Sequence, residues 1–337
     1  MERIYISEDI EKIRNEYCSK LFSERRTNFN MPKEKLKKLA STIWKAYRKG
    51  TNHNVSWDKY FRYVKNIIRH YDDIIALKPS QFDIYHIKYF NELTGSDLAR
   101  NIISSKHFYE LVVEAMRYDD VRNTEYAPYV RKLDIKTCIY CNAQFSLPTH
   151  GKGNANTDVT TYEIDHFYPK SIYPFLCTTF FNLAPSCGPC NRRKSDNKVE
   201  FCLYTEDKSE CSPFHFLLSK QSITNYLITN KKDDLDFAIE GNGNLLESHK
   251  VFYLDDIYKE HKDVAEELVW RHKIYSQAYR NSILSQFKKI FDKQEDDDCY
   301  RLLFGIYPSS THIHKRPLTL FSRDLSKQLE EMFDSKY

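Results

Sequence analysis

Apolar residues recur every three to four positions through most of the first 130 residues. Residues 33–49 carry Leu36, Leu39, Ala40, Ile43, Ala46 and Tyr47, the spacing of one helix face. Residues 57–77 repeat the pattern with Trp57, Tyr60, Phe61, Val64, Ile67, Ile68, Tyr71, Ile74 and Ile75, and Ser56 stands where an N-cap belongs. Pro79-Ser80 interrupts the chain, 81–94 reads as helix again, and 106–122 adds Phe108, Leu111, Val112, Ala115 and Met116. Four or five helices are predicted, their aromatic stripes forming core. From 131 to 200 the helical period fades. HGKGNANTDVTT (150–161) reads as a loop or hairpin turn, and TYEID after it alternates like a strand. Beyond 200 helix returns over 213–229. FAIEGNGNL (237–245) then predicts a hairpin turning at Gly241-Asn242-Gly243. A long helix is expected from Asp255 or Asp256 to about 292, with Ile257, Val264, Leu268 and Ile274 inward, ended by a solvated turn at EDDD (295–298). A last helix follows Pro317 with Leu325, Leu329, Met332 and Phe333. The expected organisation is a helical region 1–130, a distinct core 131–200 and a mainly helical region 201–337.

Charge changes this picture little as a total and more as a distribution. The net charge is +4, made of +5 for residues 1–130, +3 for 131–200 and −4 for 201–337. Most of the N-terminal excess sits in MPKEKLKKLASTIWKAYRKG (31–50), which is either a solvated helix face or a patch that attracts phosphate. No apolar run is long enough to span a bilayer, and MERIYISEDIEK lacks the apolar stretch of a signal peptide, so a soluble cytoplasmic chain with no membrane partner is expected. In such a reducing compartment nine cysteines, an odd number in a long chain, point to metal rather than to a disulfide scaffold.

Four of the cysteines form two knuckles, Cys138-Ile-Tyr-Cys141 and Cys187-Gly-Pro-Cys190. Each tight turn offers two thiolates, and two turns together make the tetrahedral set of a closed, structural zinc site. The gap between them exceeds that of a minimal zinc ribbon, so a subdomain is inserted. Cys18, Cys177, Cys202, Cys211 and Cys299 read as small buried apolar side chains, the spacing Cys211-x3-His215 offering a metal pair as the alternative. Within the insertion stand Asp165, His166 and Asn182, and Asn191 follows the last knuckle directly.

The stretches EIDHFYPKS and FFNLAPSCGPCNRRKS, set between the knuckles, resemble the HNH endonucleases, whose site is the ββα-metal or His-Me finger. The resemblance covers residues 138–198; the family's final His is Asn191 here. It implies a mainly α fold around a small zinc-anchored α+β nuclease finger. It also implies that His166 takes the proton of the attacking water, that Asp165 and the Asn191 side-chain oxygen hold a catalytic Mg²⁺ or Mn²⁺, and that Asn182 orients the loop carrying the histidine. These roles match what phosphodiester hydrolysis needs: an activated water, neutralised phosphate charge and a stabilised leaving oxygen. Adjacent strand residues face opposite ways, so the strand must end at His166, where Tyr168-Pro169 breaks it. Arg192, Arg193, Lys194 and Lys198 on the finger helix, with Lys170 in the loop, are expected to meet backbone phosphates of a nucleic-acid substrate, DNA or RNA.

VFYLDDIYKEHKD (251–263) looks like the F-x-L…Y-x-x-H run after the core of some defence-associated HNH proteins, with Tyr258 and His261 packing on that core. The whole layout resembles the PtuB family, HNH components of Septu-type and retron-linked anti-phage systems, which implies a PtuA-like ATPase partner. McrA-like restriction endonucleases are the competing subfamily. A zinc-ribbon module that binds nucleic acid or protein without cutting is the competing class; such a binder has no need of the His-Asn-Asn set.

Overall fold

The computed structural model describes residues 1–25, 28–49, 56–150, 158–195, 197, 199–241, 243–290 and 296–334. It is mostly helical, with four small two-stranded sheets among the described residues. No helix of the described residues is long and apolar enough to cross a membrane. The chain forms two compact units, each gathered from separate segments. One comprises Tyr5–Ile135 and Ser146–Lys208, the other Met1–Ile4, Lys136–Phe145 and Ser209–Tyr337.

In the first unit most of the predicted stripe positions face inward, while Tyr47 at the end of the first stripe is 51% exposed. Helix Pro32–Arg48 buries Leu36, Ala40 and Ile43, and helix Trp57–Arg69 buries Trp57, Tyr60, Tyr63, Val64 and Ile67. Pro32 starts its helix where no N–H is needed, and the Glu34 carboxylate accepts from the Met31 N–H at 3.1 Å. The 57–77 segment breaks at His70 into Trp57–Arg69 and Tyr71–Ala76. Ser56 occupies the N-cap position but its hydroxyl makes no cap bond. A helix absent from the periodicity reading, Glu8–Lys20, is capped by the Ser7 hydroxyl and carries Glu8, Asp9 and Glu11 in its first turn. It buries only Tyr17, which is why no stripe announces it.

Helical-region side chains hold the later segment through buried backbone. The Tyr17, Tyr118 and Tyr126 hydroxyls donate to the carbonyls of Thr178, Ile164 and Leu183 at 2.8, 3.2 and 3.1 Å, and the Thr179 hydroxyl donates to the Ile74 carbonyl at 2.9 Å. Each bond satisfies a carbonyl that burial has taken from water. The turn expected over 150–161 joins strands Pro148–His150 and Asp158–Thr160; residues 151–157 lie outside the described residues.

The second unit departs most from the pattern reading. Residues 213–229 are not one helix: Phe214–Leu218 is a strand with Phe214, Phe216 and Leu218 buried and His215 and Leu217 exposed, and Ser219 then caps helix Lys220–Thr229. The strand pairs antiparallel with Phe237–Gly241, so the second arm of the hairpin lies before Gly241, and a helix begins at Gly243. Asn242 lies outside the described residues. A Cβ on Gly241 would sit 2.5 Å from the Pro213 carbonyl, so this residue is glycine to let two backbones approach. Helix Thr319–Asp334 covers the open edge: Asp324 and Gln328 accept from the Phe216 and Leu218 N–H groups at 3.0 and 2.8 Å. The long helix expected from 255 to 292 is three, Leu254–Lys259, Lys262–Ile274 and Gln277–Ile290. Asp296, Asp297 and Asp298 of EDDD open helix Asp296–Phe304, as acidic residues at a helix N-terminus should, and Glu295 lies outside the described residues.

Within this unit the Cys138–Cys141 turn is clamped. Asn142, at φ 49°, is buried; its amide donates to the Thr137 hydroxyl at 2.9 Å and the Ile313 carbonyl at 3.0 Å, and accepts from the Leu320 N–H at 3.1 Å. The buried Tyr258 hydroxyl donates to the Cys141 carbonyl at 2.7 Å. Tyr258→Phe removes that donor from a buried carbonyl. We expect a loss of about 0.5–1.5 kcal/mol in urea unfolding, with little change in the far-UV spectrum.

Candidate functional site

The site is built on a short antiparallel hairpin. Glu163–His166 pairs with Leu183–Ser186 in the register Glu163↔Ser186, Ile164↔Pro185, Asp165↔Ala184 and His166↔Leu183. The strand ends at His166. Cys187 caps the helix Gly188–Lys194 that follows, with Pro189 in its first turn. A Cβ on Gly188 would meet Arg192 Nη1 at 3.0 Å and Glu163 Oε1 at 3.1 Å, the ends of two flexible side chains.

Strand alternation sorts the chemistry. Glu163 and Asp165 share one face, and Ile164 and His166 share the other. Asn191 and Lys194, one turn apart on the helix, meet the first face. Asn191 Nδ2 donates to Glu163 Oε2 at 2.6 Å. Lys194 Nζ lies 3.1 Å from Asp165 Oδ2 and 3.3 Å from Oδ1, and donates to the His166 carbonyl at 2.7 Å. Both partners are buried, the Lys194 side chain fully. Removing one member of such a pair typically costs about 3–5 kcal/mol, because the other charge is stranded.

His166 occupies the opposite face, 4% exposed, with its ring 4.8 Å from that of Tyr118. Its Nε2 is 3.0 Å from the Cys177 carbonyl. A carbonyl only accepts, so Nε2 carries the proton and Nδ1 keeps the lone pair. Burial pushes the imidazole down from its ordinary value to about 3; Lys170 and Lys194 add to the fall, and the Cys177 carbonyl opposes it. The ring is neutral at pH 7. Asn182 is buried behind the loop after His166. Its Oδ1 accepts from the Tyr168 N–H at 2.7 Å, and its Nδ2 donates to the carbonyls of Tyr168 and Leu176 at 3.2 and 3.1 Å.

The residues expected at phosphates divide. Arg192 and Arg193 are exposed, Arg192 lying 4.0 Å from Glu163 Oε1. Lys170 is half-buried, its ammonium 4.6 Å from the Tyr118 ring centroid, and burial lowers its pKa. Lys194 points inward to Asp165, where no external phosphate reaches it, so its expected surface role does not match its position. Lys198 lies outside the described residues.

The Sγ atoms of Cys138, Cys141, Cys187 and Cys190 all lie within 4.8 Å of one another, and all four residues are buried. Tetrahedral Zn–S bonds of about 2.3 Å place sulfurs about 3.8 Å apart, so this donor set suits one structural zinc ion. Among the described residues no other group of three or more His, Cys, Asp or Glu side chains comes together in this way.

Glu163, Tyr118, Asn142 and the inward role of Lys194 escaped the sequence reading. Glu163 was accessible to it: two residues before Asp165 on a strand, it must share that residue's face. Tyr118 and Asn142 act through tertiary contacts that no local pattern marks.

Over 79 residues, 22% of this chain and 27% of the relative, the chain is 30% identical to the Septu protein PtuB of Bacillus thuringiensis. The match thus covers about a quarter of that relative's length. No family model and no solved structure matches the chain.

Two outcomes follow from the site. Cys187→Ser should lower bound zinc from one equivalent per chain to none by atomic emission and lower the melting temperature, because metal binding and local folding are coupled. Full zinc with an unchanged melting curve would contradict the four-thiolate site. The histidine gives a pH dependence. Its folded pKa lies below the unfolded value, so the unfolded chain binds the proton first as pH falls. The contribution is complete above about pH 6.5 and is lost as pH falls toward 3. Between pH 6.5 and 5 the protein should lose up to about 2 kcal/mol more stability than His166→Gln, read from paired urea titrations.

Proposed function

We propose that the chain is a metal-dependent HNH endonuclease that hydrolyses phosphodiester bonds, DNA favoured and RNA such as tRNA an alternative, and that it is the nuclease component of an anti-phage defence system. The observation that carries the reading is the His166 arrangement. Its Nε2 is tied to the Cys177 carbonyl, its Nδ1 holds a lone pair, and it ends a hairpin whose other face bears Asp165 beside the helix of Asn191. A hairpin followed by a helix, with knuckles at both flanks, is the order that the HNH resemblance implies. The PtuB likeness supports the defence role, and by analogy with Septu systems a PtuA-like ATPase is the proposed partner.

In this reading neutral His166 accepts a proton from water at Nδ1 as the water oxygen attacks phosphorus and the P–O3′ bond breaks. The Cys177 carbonyl stabilises the imidazolium that forms. Asn182 fixes the Tyr168 backbone and so the direction of the ring. Asp165 and Asn191 are the residues that would hold Mg²⁺ or Mn²⁺. Their donors suit it: a carboxylate, and an amide whose nitrogen is committed to Glu163, leaving its oxygen as the acceptor. When bound, that ion stabilises charge on the phosphate and the leaving oxygen. Arg192, Arg193 and Lys170 are the proposed phosphate contacts.

The test is cleavage of plasmid DNA and of bulk tRNA by purified protein, alone and with a PtuA-like ATPase, in Mg²⁺, Mn²⁺ or EDTA. His166→Ala should cut at least about 100-fold more slowly while keeping zinc and fold. Parent-rate cutting by that variant would refute His166 as the base. No cutting in any arrangement, with zinc bound and fold intact, would favour the non-catalytic zinc-ribbon binder over the nuclease.

A further inference from the structure

We propose, resting on the nuclease reading, that Lys194 is a built-in cation at Asp165 that makes divalent-ion binding depend on the nucleic acid. Three observations carry it. The ammonium sits at 3.1 and 3.3 Å from the two Asp165 oxygens. It is fully buried, so water does not screen it. It also donates to the His166 carbonyl at 2.7 Å, so one group fixes both the carboxylate and the backbone of the neighbouring histidine.

The charge count gives the consequence. Asp165 contributes −1 and Lys194 +1, so the pair is neutral before any ion arrives. A divalent ion at Asp165 then meets a carboxylate already compensated, with a like charge a few ångströms away. Its binding to the free protein is weakened. A phosphodiester brought to the site adds −1 and favours the ion again. Ion and nucleic acid therefore bind with positive coupling, and by linkage each raises the affinity of the other by the same factor. Lys194 touches no reacting atom in this scheme. It is a positioning residue that holds the strand end in place and sets the electrostatic condition for loading.

The experiment measures Mn²⁺ affinity by electron paramagnetic resonance on the full zinc-loaded chain. Wild type, Lys194→Gln, Lys194→Arg and Asp165→Asn are each titrated with and without an uncleavable phosphorothioate oligonucleotide. In Lys194→Gln the free protein should bind Mn²⁺ at least about tenfold more tightly than wild type, the scale of one charge at this range. The oligonucleotide should then add little further affinity. Lys194→Arg, which keeps the charge, should retain the wild-type coupling. A merely structural lysine would weaken Mn²⁺ binding on removal, and equal or weaker affinity in Lys194→Gln overturns the proposal. If Lys194→Gln does not fold, the ¹⁵Nζ resonance of Lys194 in wild type decides. It should shift when Mg²⁺ and oligonucleotide are added together and not with Mg²⁺ alone; the same shift with Mg²⁺ alone overturns the coupling. A Mn²⁺ site that Asp165→Asn abolishes but Lys194→Gln leaves unchanged defeats this proposal alone. Binding unaffected by Asp165→Asn in every background defeats the nuclease reading with it.

Discussion

The buried contact between Lys194 and Asp165 is the constraint on which the site depends. It joins the helix Gly188–Lys194 to the strand Glu163–His166, and its third bond runs to the carbonyl of the histidine. A charge pair in this position is expensive to form and more expensive to break. Such a pair favours one arrangement of helix on strand over its near neighbours, because a slipped register would strand both charges. Asn191 with Glu163 repeats the connection one turn earlier. Two polar bridges, one turn apart on the helix and two residues apart on the strand, define the angle at which the helix crosses the hairpin.

Around this centre the chain uses tyrosine as a structural donor. Tyr17, Tyr118 and Tyr126 are each buried, and each ends on a carbonyl in the 164–183 segment. That segment is short of sheet partners: its hairpin has two strands, so many of its backbone groups find no ladder. A tyrosine supplies a large apolar body and one polar tip at a fixed distance, which suits bonding a carbonyl through a hydrophobic layer. Burial raises the pKa of all three hydroxyls, so they remain donors throughout the ordinary pH range.

What the sequence made legible follows physical range. The helix stripes at 36, 40 and 43 and at 60, 64 and 67 are local, and the structure buries them. The knuckles are local too, and their sulfurs converge. The strand at Phe214–Leu218 carries a two-residue alternation, but it is short and runs straight into the helical pattern of the segment that follows. The breaks that divide the segment after 254 fall at 260–261 and 275–276, where no Gly or Pro marks them locally. Lys194 shows the same limit at one residue. In a run of Arg-Arg-Lys each side chain looks alike, and only the helix angle decides that the third turns inward. Asp165, His166, Asn182 and Asn191 were singled out by resemblance; the structure sets them on one hairpin, its following loop and its helix.

The clamp on Asn142 also has a bearing on timing. Its partners at Ile313 and Leu320 lie 171 and 178 residues further along the chain. At roughly 5–20 residues per second of synthesis, Asn142 waits about 9–36 s after it is made before these two partners exist. The hairpin and the histidine emerge well within that interval. A chain cut short before residue 313 therefore carries every proposed catalytic side chain, and Tyr258 with its bond to Cys141, but lacks the Ile313 carbonyl and the Leu320 N–H that hold Asn142. The bonds of Asn142 to Ile313 and Leu320 thus form only once the last segment has been made.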